Sequence, residues 1–225
     1  MFTSIGVTLQ ETDLPDLVLL GSPVLLDKGV DEALASKRGE LERLVERLQY
    51  MPAHDSLFLL RNLVTSSRLL YTLRTTPCMG RAELVSYDEL VRSALTKTLN
   101  TDITNMGWLQ ASLPVRWGGL GVRSAVMLAP SAYLASAAST QGLVGSILPQ
   151  HIQPTTHASF TLALDQWVTA SSTAPPTAPY SGRQRAWDDP CCRKASDALL
   201  RMIYPEPELG QASTTHRGRG WRLFQ

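Results

Sequence analysis

The chain has 225 residues, and its 21 basic and 20 acidic side chains nearly cancel to a formal net charge of +1. Hydrophobic residues make up 44% of the composition. That fraction is enough to bury a core and excludes a wholly disordered chain, a collagen and a disulfide scaffold. No stretch is as long and apolar as a membrane span, and the N-terminus carries acids where a signal peptide carries bases. We therefore expect an intracellular protein of the nucleus or cytoplasm, neither secreted nor membrane-bound.

The near-zero net charge conceals an uneven distribution along the chain. Residues 1–53 hold 5 basic and 9 acidic side chains, whereas residues 54–123 and 183–225 each hold 8 basic and 5 acidic ones. Between residues 124 and 182, Asp165 is the only formal charge. A segment with so little charge must hide its apolar face or meet a partner. This segregation predicts several small units.

The first predicted elements are a β-hairpin and an amphipathic helix. Gly21 and Pro23 interrupt the apolar run of residues 17–26, which predicts a buried strand, a turn and a short second strand. From about Asp31, leucines recur at helical spacing until Pro52 ends the helix.

The next segment, from Asp55 to about Arg74, has the pattern of a buried helix with one narrow basic stripe. Four side chains at i, i+4, i+7 and i+11 share one helical face. They are Arg61, Thr65, Arg68 and Thr72. A capping-box pattern from Ser86 to Glu89 then predicts a third helix.

Three glycines within four positions follow that helix, and they predict a shaped loop. They are Gly118, Gly119 and Gly121. Glycine allows a positive φ or a close backbone approach, and the residues around Gly121 alternate as in a short strand. A phosphate-binding loop is the alternative, but the spacing matches neither the Walker nor the Rossmann pattern. A structural turn is therefore favoured.

The C-terminal half is predicted to be helical up to a disordered tail. Ser124 caps an Ala-rich helix that Pro130 kinks or restarts, and short helices follow at 142–148 and 156–170. Residues 171–181 are rich in Pro, Ser and Thr, which predicts an extended, mobile linker. The last helix is predicted over residues 184–203, and the tail from residue 205 lacks periodicity.

No metal site or nucleophile stands out in the sequence. Asp188 and Asp189 are adjacent carboxylates, for which a role near a helix N-terminus is favoured over metal binding. The four histidines lack the spacing that places two ligands on one face. The three cysteines are expected to be reduced, because the vicinal pair cannot easily close on itself.

The remaining candidates are arginines, either as a surface for a phosphate backbone or as an ordinary solvated face. Arginine and lysine on a helical face contact phosphates without reading bases, and such binding depends on salt. The candidate nucleic-acid-binding residues are Arg61, Arg68, Arg74, Arg116 and Arg123.

Several motifs in a fixed order resemble the region downstream of the catalytic palm in non-LTR retrotransposon reverse transcriptases. Leu20 and Gly21 come first, followed by a leucine- and arginine-rich segment over residues 54–77. The order continues with Trp108, Leu113-Pro114, Gly118-Gly119-Leu120-Gly121-Val122-Arg123-Ser124-Ala125 and an Ala/Ser segment over residues 129–136. The resemblance covers residues 15–150 and extends more loosely to residue 203.

The resemblance implies a mainly α, thumb-like helical bundle that holds a template–primer duplex of RNA and DNA by its backbone. The implied units are an end-of-palm strand and turn at 1–30, the thumb with its GGLG loop at 31–123, an Ala/Ser-rich connector at 124–170, a linker at 171–182, a helix at 183–204 and a disordered tail at 205–225. A short β-hairpin or strand is implied at the N-terminus and around the GGLG loop. Leu20, Gly21, Pro114, Gly118, Gly119 and Gly121 are the implied structural motif.

The resemblance also implies a fragment of a truncated element, without polymerase activity or a cofactor of its own. In the intact family, palm aspartates hold two Mg²⁺ ions, and the sequence lacks the aromatic-x-Asp-Asp pattern that supplies them. A thumb normally packs on a palm, so we expect exposed apolar surface that needs a palm domain or partner protein, and limited solubility. The alternatives are a helical protein-interaction module, a non-functional remnant, and an enzyme whose active residues we do not find.

Overall fold

A computed structural model describes residues 18–19, 21–23, 28–64, 67–147 and 158–204, and its fold is mainly helical, as expected. The elements are β1 (Val18–Leu19), β2 (Ser22–Pro23), α1 (Lys28–Leu48), α2 (Ala53–Leu59), a π-helix (Leu60–Val64), α3 (Ser67–Thr75), α4 (Ala82–Leu99), α5 (Asn105–Ser112), a 3₁₀ turn (Val115–Trp117), α6 (Ala125–Ile147), α7 (Ala158–Ser171) and α8 (Gln184–Ile203). The predicted disordered tail and Leu20 lie outside the described residues.

The N-terminal strands pair antiparallel and are fastened to the end of α3. Val18 lies opposite Pro23, and between the strands Gly21 has a φ of +81°. Val18 is 59% exposed, so the prediction of a buried strand is wrong at this position. The buried Ser22 Oγ lies 2.9 Å from Thr75 Oγ1, a contact that ties the hairpin to the helical core.

The main hydrophobic core joins helices from both ends of the described chain, and a smaller cluster forms around Leu113, Cys192 and Leu199. Helix α6 packs against α3, α4, α7 and α8, and α1 packs against α4. Trp167 of α7 is fully buried, and its Nε1 donates to the Trp187 carbonyl of α8 at 2.7 Å. The two indole rings meet edge to face with centroids 4.9 Å apart. Helix α8 is therefore part of the same core as α1.

The predicted bounds are accurate for the last helix and wrong for the third. Helix α8 covers residues 184–203, as predicted. Helix α4 begins at Ala82, so the capping-box residues Ser86 and Glu89 lie inside it. The added N-terminal turn places Leu84 in the core at 2% exposure, and that burial favours the longer helix.

The predicted helix from Asp55 to Arg74 is not a regular α-helix throughout. Helix α2 continues into the π-helix, and the described residues of α3 are Ser67–Thr75. A π-helical turn takes up an additional residue and rotates everything that follows about the helix axis. Arg61 is exposed while Thr72 is 4% exposed, so these two residues do not share a solvent-facing stripe. Thr65 lies outside the described residues.

Helix α6 begins as predicted but does not stop at its proline. The amide of Met127 donates to Ser124 Oγ at 3.1 Å, which confirms the predicted N-cap. The helix passes through Pro130 to Ile147, so the predicted separate helix at 142–148 is wrong. A proline removes a single amide donor, and the buried side chains around Pro130 retain the helix.

The connection between α7 and α8 is held at both ends. The Lys194 ammonium donates to the Thr169 carbonyl and to Ser172 Oγ, both at 2.7 Å. Near the other end, the amide of Tyr180 donates to the Thr177 carbonyl at 2.9 Å and forms a turn. This turn is not the extended conformation predicted there. Among the helices of the described residues, none is long and apolar enough to cross a membrane.

Candidate nucleic-acid interface

The GGLG loop folds back onto the end of α5 through backbone hydrogen bonds. The amide of Gly121 donates to the Leu113 carbonyl at 2.8 Å, and the amide of Val122 donates to the Ala111 carbonyl at 3.1 Å. Residues 118–124 form no strand, so the expected strand around the loop is wrong. The loop amides pair with the C-terminal turn of a helix instead of with another strand.

The three glycines of this loop are required for two different reasons. Gly118 and Gly121 both have a φ of +78°, in the left-handed region that disfavours side chains. At Gly119 the constraint is steric, because a Cβ there would lie 2.0 Å from the Leu113 carbonyl oxygen. The loop is a tightly folded structural turn, as the spacing of its glycines favours.

The loop brings distant arginines to one open cavity of about 410 Å³. Arg61 of the π-helix, Arg116 of the 3₁₀ turn and Arg123 after the GGLG loop line it together. The Arg61 side chain crosses the loop backbone, with its Nε 2.9 Å from the position that a Cβ on Gly121 would occupy. The missing side chain at Gly121 therefore makes room for Arg61.

Two of these arginines are paired with the adjacent carboxylates of α8. Arg123 Nη2 donates to Asp188, and both side chains are only 13% exposed. Arg116 Nη2 donates to Asp189, which also accepts from Arg185 Nε at 3.1 Å. The predicted role of the two aspartates at a helix N-terminus is wrong, because they lie beyond the first turn of α8 and their hydrogen-bond partners are arginine side chains.

The pairing shifts the pKa values of Arg123 and Asp189. Burial alone would lower the pKa of Arg123, but Asp188 and the Cys192 sulfur beside it raise that pKa above its usual value. Partial burial alone would raise the pKa of Asp189, but its hydrogen bonds with Arg116 and Arg185 lower it. Each shift favours the charged form of its group, the Arg123 guanidinium and the Asp189 carboxylate. Arg123 holds the loop to α8, whereas Arg116 is 41% exposed at the rim.

Arg74 lies beside the same cavity and is oriented by α8. Its Nε and Nη2 donate to Gln184 Oε1 at 3.1 and 2.6 Å, and Gln184 also lines the cavity. Arg74 itself is exposed. For Arg68 the structure describes the backbone within α3 and not the side chain. Four of the five predicted arginines are therefore gathered around the cavity or at its edge.

A buried carboxylate that the sequence analysis did not single out supports the loop from the other side. Asp88 of α4 accepts hydrogen bonds from the Ser124 hydroxyl and from the amides of Ala125 at 2.7 Å and Val126 at 3.3 Å. It caps α6 immediately after the GGLG loop. Burial, the largest influence, raises the pKa of Asp88 above its ordinary 3.8. In the sequence, the acidic side chain itself was the only indication of this capping role.

The other titratable candidates do not assemble into a site within the described residues. His54 is exposed and pairs with its neighbour Asp55, while the remaining histidines lie outside the described ranges. No group of three or more potential metal ligands forms in the part of the chain that the structure describes. The cysteines are free, and burial raises the pKa of Cys78 to about 12 and that of Cys191 to about 11. These thiols are protonated at neutral pH.

Comparison with known proteins gives no relative: no protein-family model, no curated protein and no solved structure matches the chain.

Proposed function

We propose that the chain is a thumb-like and connector region of a non-LTR retrotransposon reverse transcriptase. Its role is to bind the backbone of an RNA–DNA template–primer duplex without sequence preference and without polymerase activity of its own. One observation carries the proposal: Arg61, Arg74 and Arg116 lie around one open cavity at the GGLG loop, although Arg61 and Arg116 are 55 residues apart in sequence. Guanidinium groups are well suited to phosphates because they donate two parallel hydrogen bonds.

The arrangement is better suited to holding a phosphate backbone in place than to recognising bases. Arg61 crosses a glycine backbone, Arg74 is oriented by Gln184, and Arg116 is paired with Asp189, so each guanidinium is held in a defined place. Prepositioned cations lose less conformational entropy when they meet a phosphate. Arg61 also lies in a π-helical turn, a rare conformation that is common at functional sites.

The double variant Arg61→Gln/Arg74→Gln tests this function. Each lost phosphate contact removes about one unit from the slope of log K against log salt, so the slope for an RNA–DNA hybrid should fall in magnitude by about two. The loss of affinity should be independent of sequence. Fluorescence anisotropy with a labelled hybrid, titrated over a range of salt concentrations, measures both quantities.

The matched control is Arg43→Gln/Arg47→Gln on the exposed side of α1. It makes the same change in net charge away from the cavity, so it should leave the slope nearly unchanged. An equal effect from both double variants would mean that overall charge, and not this cavity, attracts the duplex. Tight binding by the unmodified chain that ignores salt would also contradict the proposal.

A second candidate, a helical protein-interaction module, is favoured by the C-terminal end of α6. Every residue from Ser139 to Ile147 is exposed, including Leu143 at 62% and Ile147 at 78%. This helical end carries no charged side chain and lies in the charge-poor region of the sequence. In the proposed enzyme context, a palm domain or partner protein would cover such surface.

This second function predicts self-association through α6. We expect the average mass from light scattering to rise with protein concentration, and the double variant Leu143→Glu/Ile147→Glu to abolish that rise by placing charges on the apolar surface. The variant Glu89→Ala/Glu83→Ala on α4 provides a comparison away from the surface. A monomer at every concentration would argue against self-association.

A further inference from the structure

A groove along α8 is a second cavity lined by cationic side chains. It has a volume of about 940 Å³ and lies between α8 and the connection that follows α7. Its lining includes five cationic side chains and two carboxylates. The cations are Arg183, Arg185, Arg193, Lys194 and Arg201. The groove therefore has a clear excess of positive charge, although the whole chain is close to neutral.

Most of this positive charge is not compensated within the described residues. Arg185 pairs with Asp189, but the other four cations form no ion pair in that part of the chain. Arg183 lies over the Tyr180 ring at 5.3 Å, and Arg193 lies over the Trp117 ring at 5.6 Å. Aromatic faces orient an arginine and leave its charge available to an anion.

The remaining cations extend this charge along the helix. Lys194 is held by a carbonyl and a hydroxyl, both uncharged acceptors. Arg201 is exposed near the end of α8. From Arg183 to Arg201, the cationic face follows about 27 Å of helix, given a rise of about 1.5 Å per residue. Of the two carboxylates, Asp189 is already neutralised by Arg116 and Arg185, and Asp197 is exposed.

We infer that this groove binds the backbone of a single-stranded nucleic acid, at a site separate from the arginine cavity. Grooves for single strands combine a line of cations with aromatic faces on which bases stack. Tyr180 supplies such a ring, because it lines the groove and is 55% exposed. The volume is in the range of pockets that enclose small ligands, up to about 1,000 Å³, which suits a few unpaired nucleotides better than a double helix.

The site does not depend on the duplex-binding function, because the two cavities share no lining residue. Asp188 lines the arginine cavity, and Asp189, the next residue, lines the groove. Single-strand binding can therefore be lost while duplex binding is retained. Duplex binding can likewise be lost while single-strand binding is retained. An acidic peptide is the competing polyanion, and it lacks bases that stack on Tyr180.

The experiment uses the full chain and a labelled single strand of about 15 deoxythymidines, a length within the range that one such groove covers. The variant Arg183→Gln/Arg201→Gln changes two exposed side chains of the groove, neither of which has a salt bridge among the described residues. We expect its affinity for the single strand to fall at least about ten-fold at low salt, with a salt slope smaller by about two. Binding of an RNA–DNA hybrid should change much less.

Two further variants keep this test decisive. Tyr180→Leu removes the ring and keeps the charge, so it should weaken binding of the single strand by several-fold, while circular dichroism shows an intact fold. Arg43→Gln/Arg47→Gln repeats the charge change on α1 and should have little effect. The inference is overturned if the α1 variant weakens binding equally, if Tyr180→Leu has no effect, or if polyglutamate displaces the strand and binds at least as tightly. Absence of single-strand binding by the unmodified chain overturns it directly.

Discussion

Replacement of Gly119 by alanine is expected to destabilise the chain by about 3 kcal/mol or more, which is at the upper end of overpacking effects. The new Cβ would lie 2.0 Å from the Leu113 carbonyl oxygen and 2.6 Å from that of Gln110. Both are backbone oxygens. The Leu113 carbonyl already accepts from the Gly121 amide and the Gln110 carbonyl from the Leu113 amide, so neither carbonyl can move without breaking its hydrogen bond. Chemical denaturation followed by circular dichroism measures the change.

Gly142→Ala is the matched control for this prediction. Gly142 lies inside α6, and apart from its chain neighbours and the nearby backbone of its own helix nothing lies within 4 Å of its Cβ position. Alanine is the better helix former, so this variant should be neutral or more stable by about 0.5–1 kcal/mol. If Gly119→Ala proved as stable as Gly142→Ala, the close approach of the loop to the end of α5 would be contradicted. Loss of the loop should also disperse Arg61, Arg116 and Arg123 and weaken duplex binding.

Replacement of Asp88 by alanine is expected to cost about 2–3 kcal/mol, because it leaves buried donors without an acceptor. The Ser124 hydroxyl and the amides of Ala125 and Val126 all donate to this carboxylate at the start of α6. Glu89→Ala, at the next position on α4, removes an exposed carboxylate and should change the free energy of unfolding by less than about 0.5 kcal/mol. Similar losses in the two variants would exclude a capping role for Asp88.

Asp88 also gives the stability a defined dependence on pH. Its pKa is raised in the folded chain, mainly by burial, so the folded state binds a proton more tightly than the unfolded state. The contribution of Asp88 should therefore be greatest at low pH and should decrease as pH rises from about 3.8 through the raised pKa. Asp88→Asn does not titrate, so the difference in unfolding free energy between the two proteins isolates this change. A difference that instead favours the aspartate as pH rises would show that its hydrogen bonds outweigh its burial.

The arginine cavity could be predicted in part from the sequence. Clustered basic residues and the glycine-rich loop identified Arg61, Arg74, Arg116 and Arg123 as candidates, and all four meet at or beside the cavity. Their partners could not be predicted, because Asp188 lies 65 residues from Arg123 and Asp189 lies 73 residues from Arg116. No periodicity connects residues at such separations. The groove along α8 was missed for a different reason. All of its lining lies within residues 171–201, but the Pro-, Ser- and Thr-rich part of that stretch is predicted from the sequence to be an extended linker and not the wall of a groove.

The sequence by itself determined the features that depend on neighbouring residues. Helical spacing of apolar residues and local breakers predicted the helical class and the bounds of α8, and Ser124 was identified as a cap because its partner is three residues away. The tertiary structure alone decided that Gly119 is limited by space whereas Gly118 is limited by its φ. It also decided that the largely buried Arg123 connects the loop to α8, whereas Arg116 lies at the rim of the arginine cavity. The physical reason is that backbone conformation is largely local, whereas burial and charge pairing depend on which distant segments pack together.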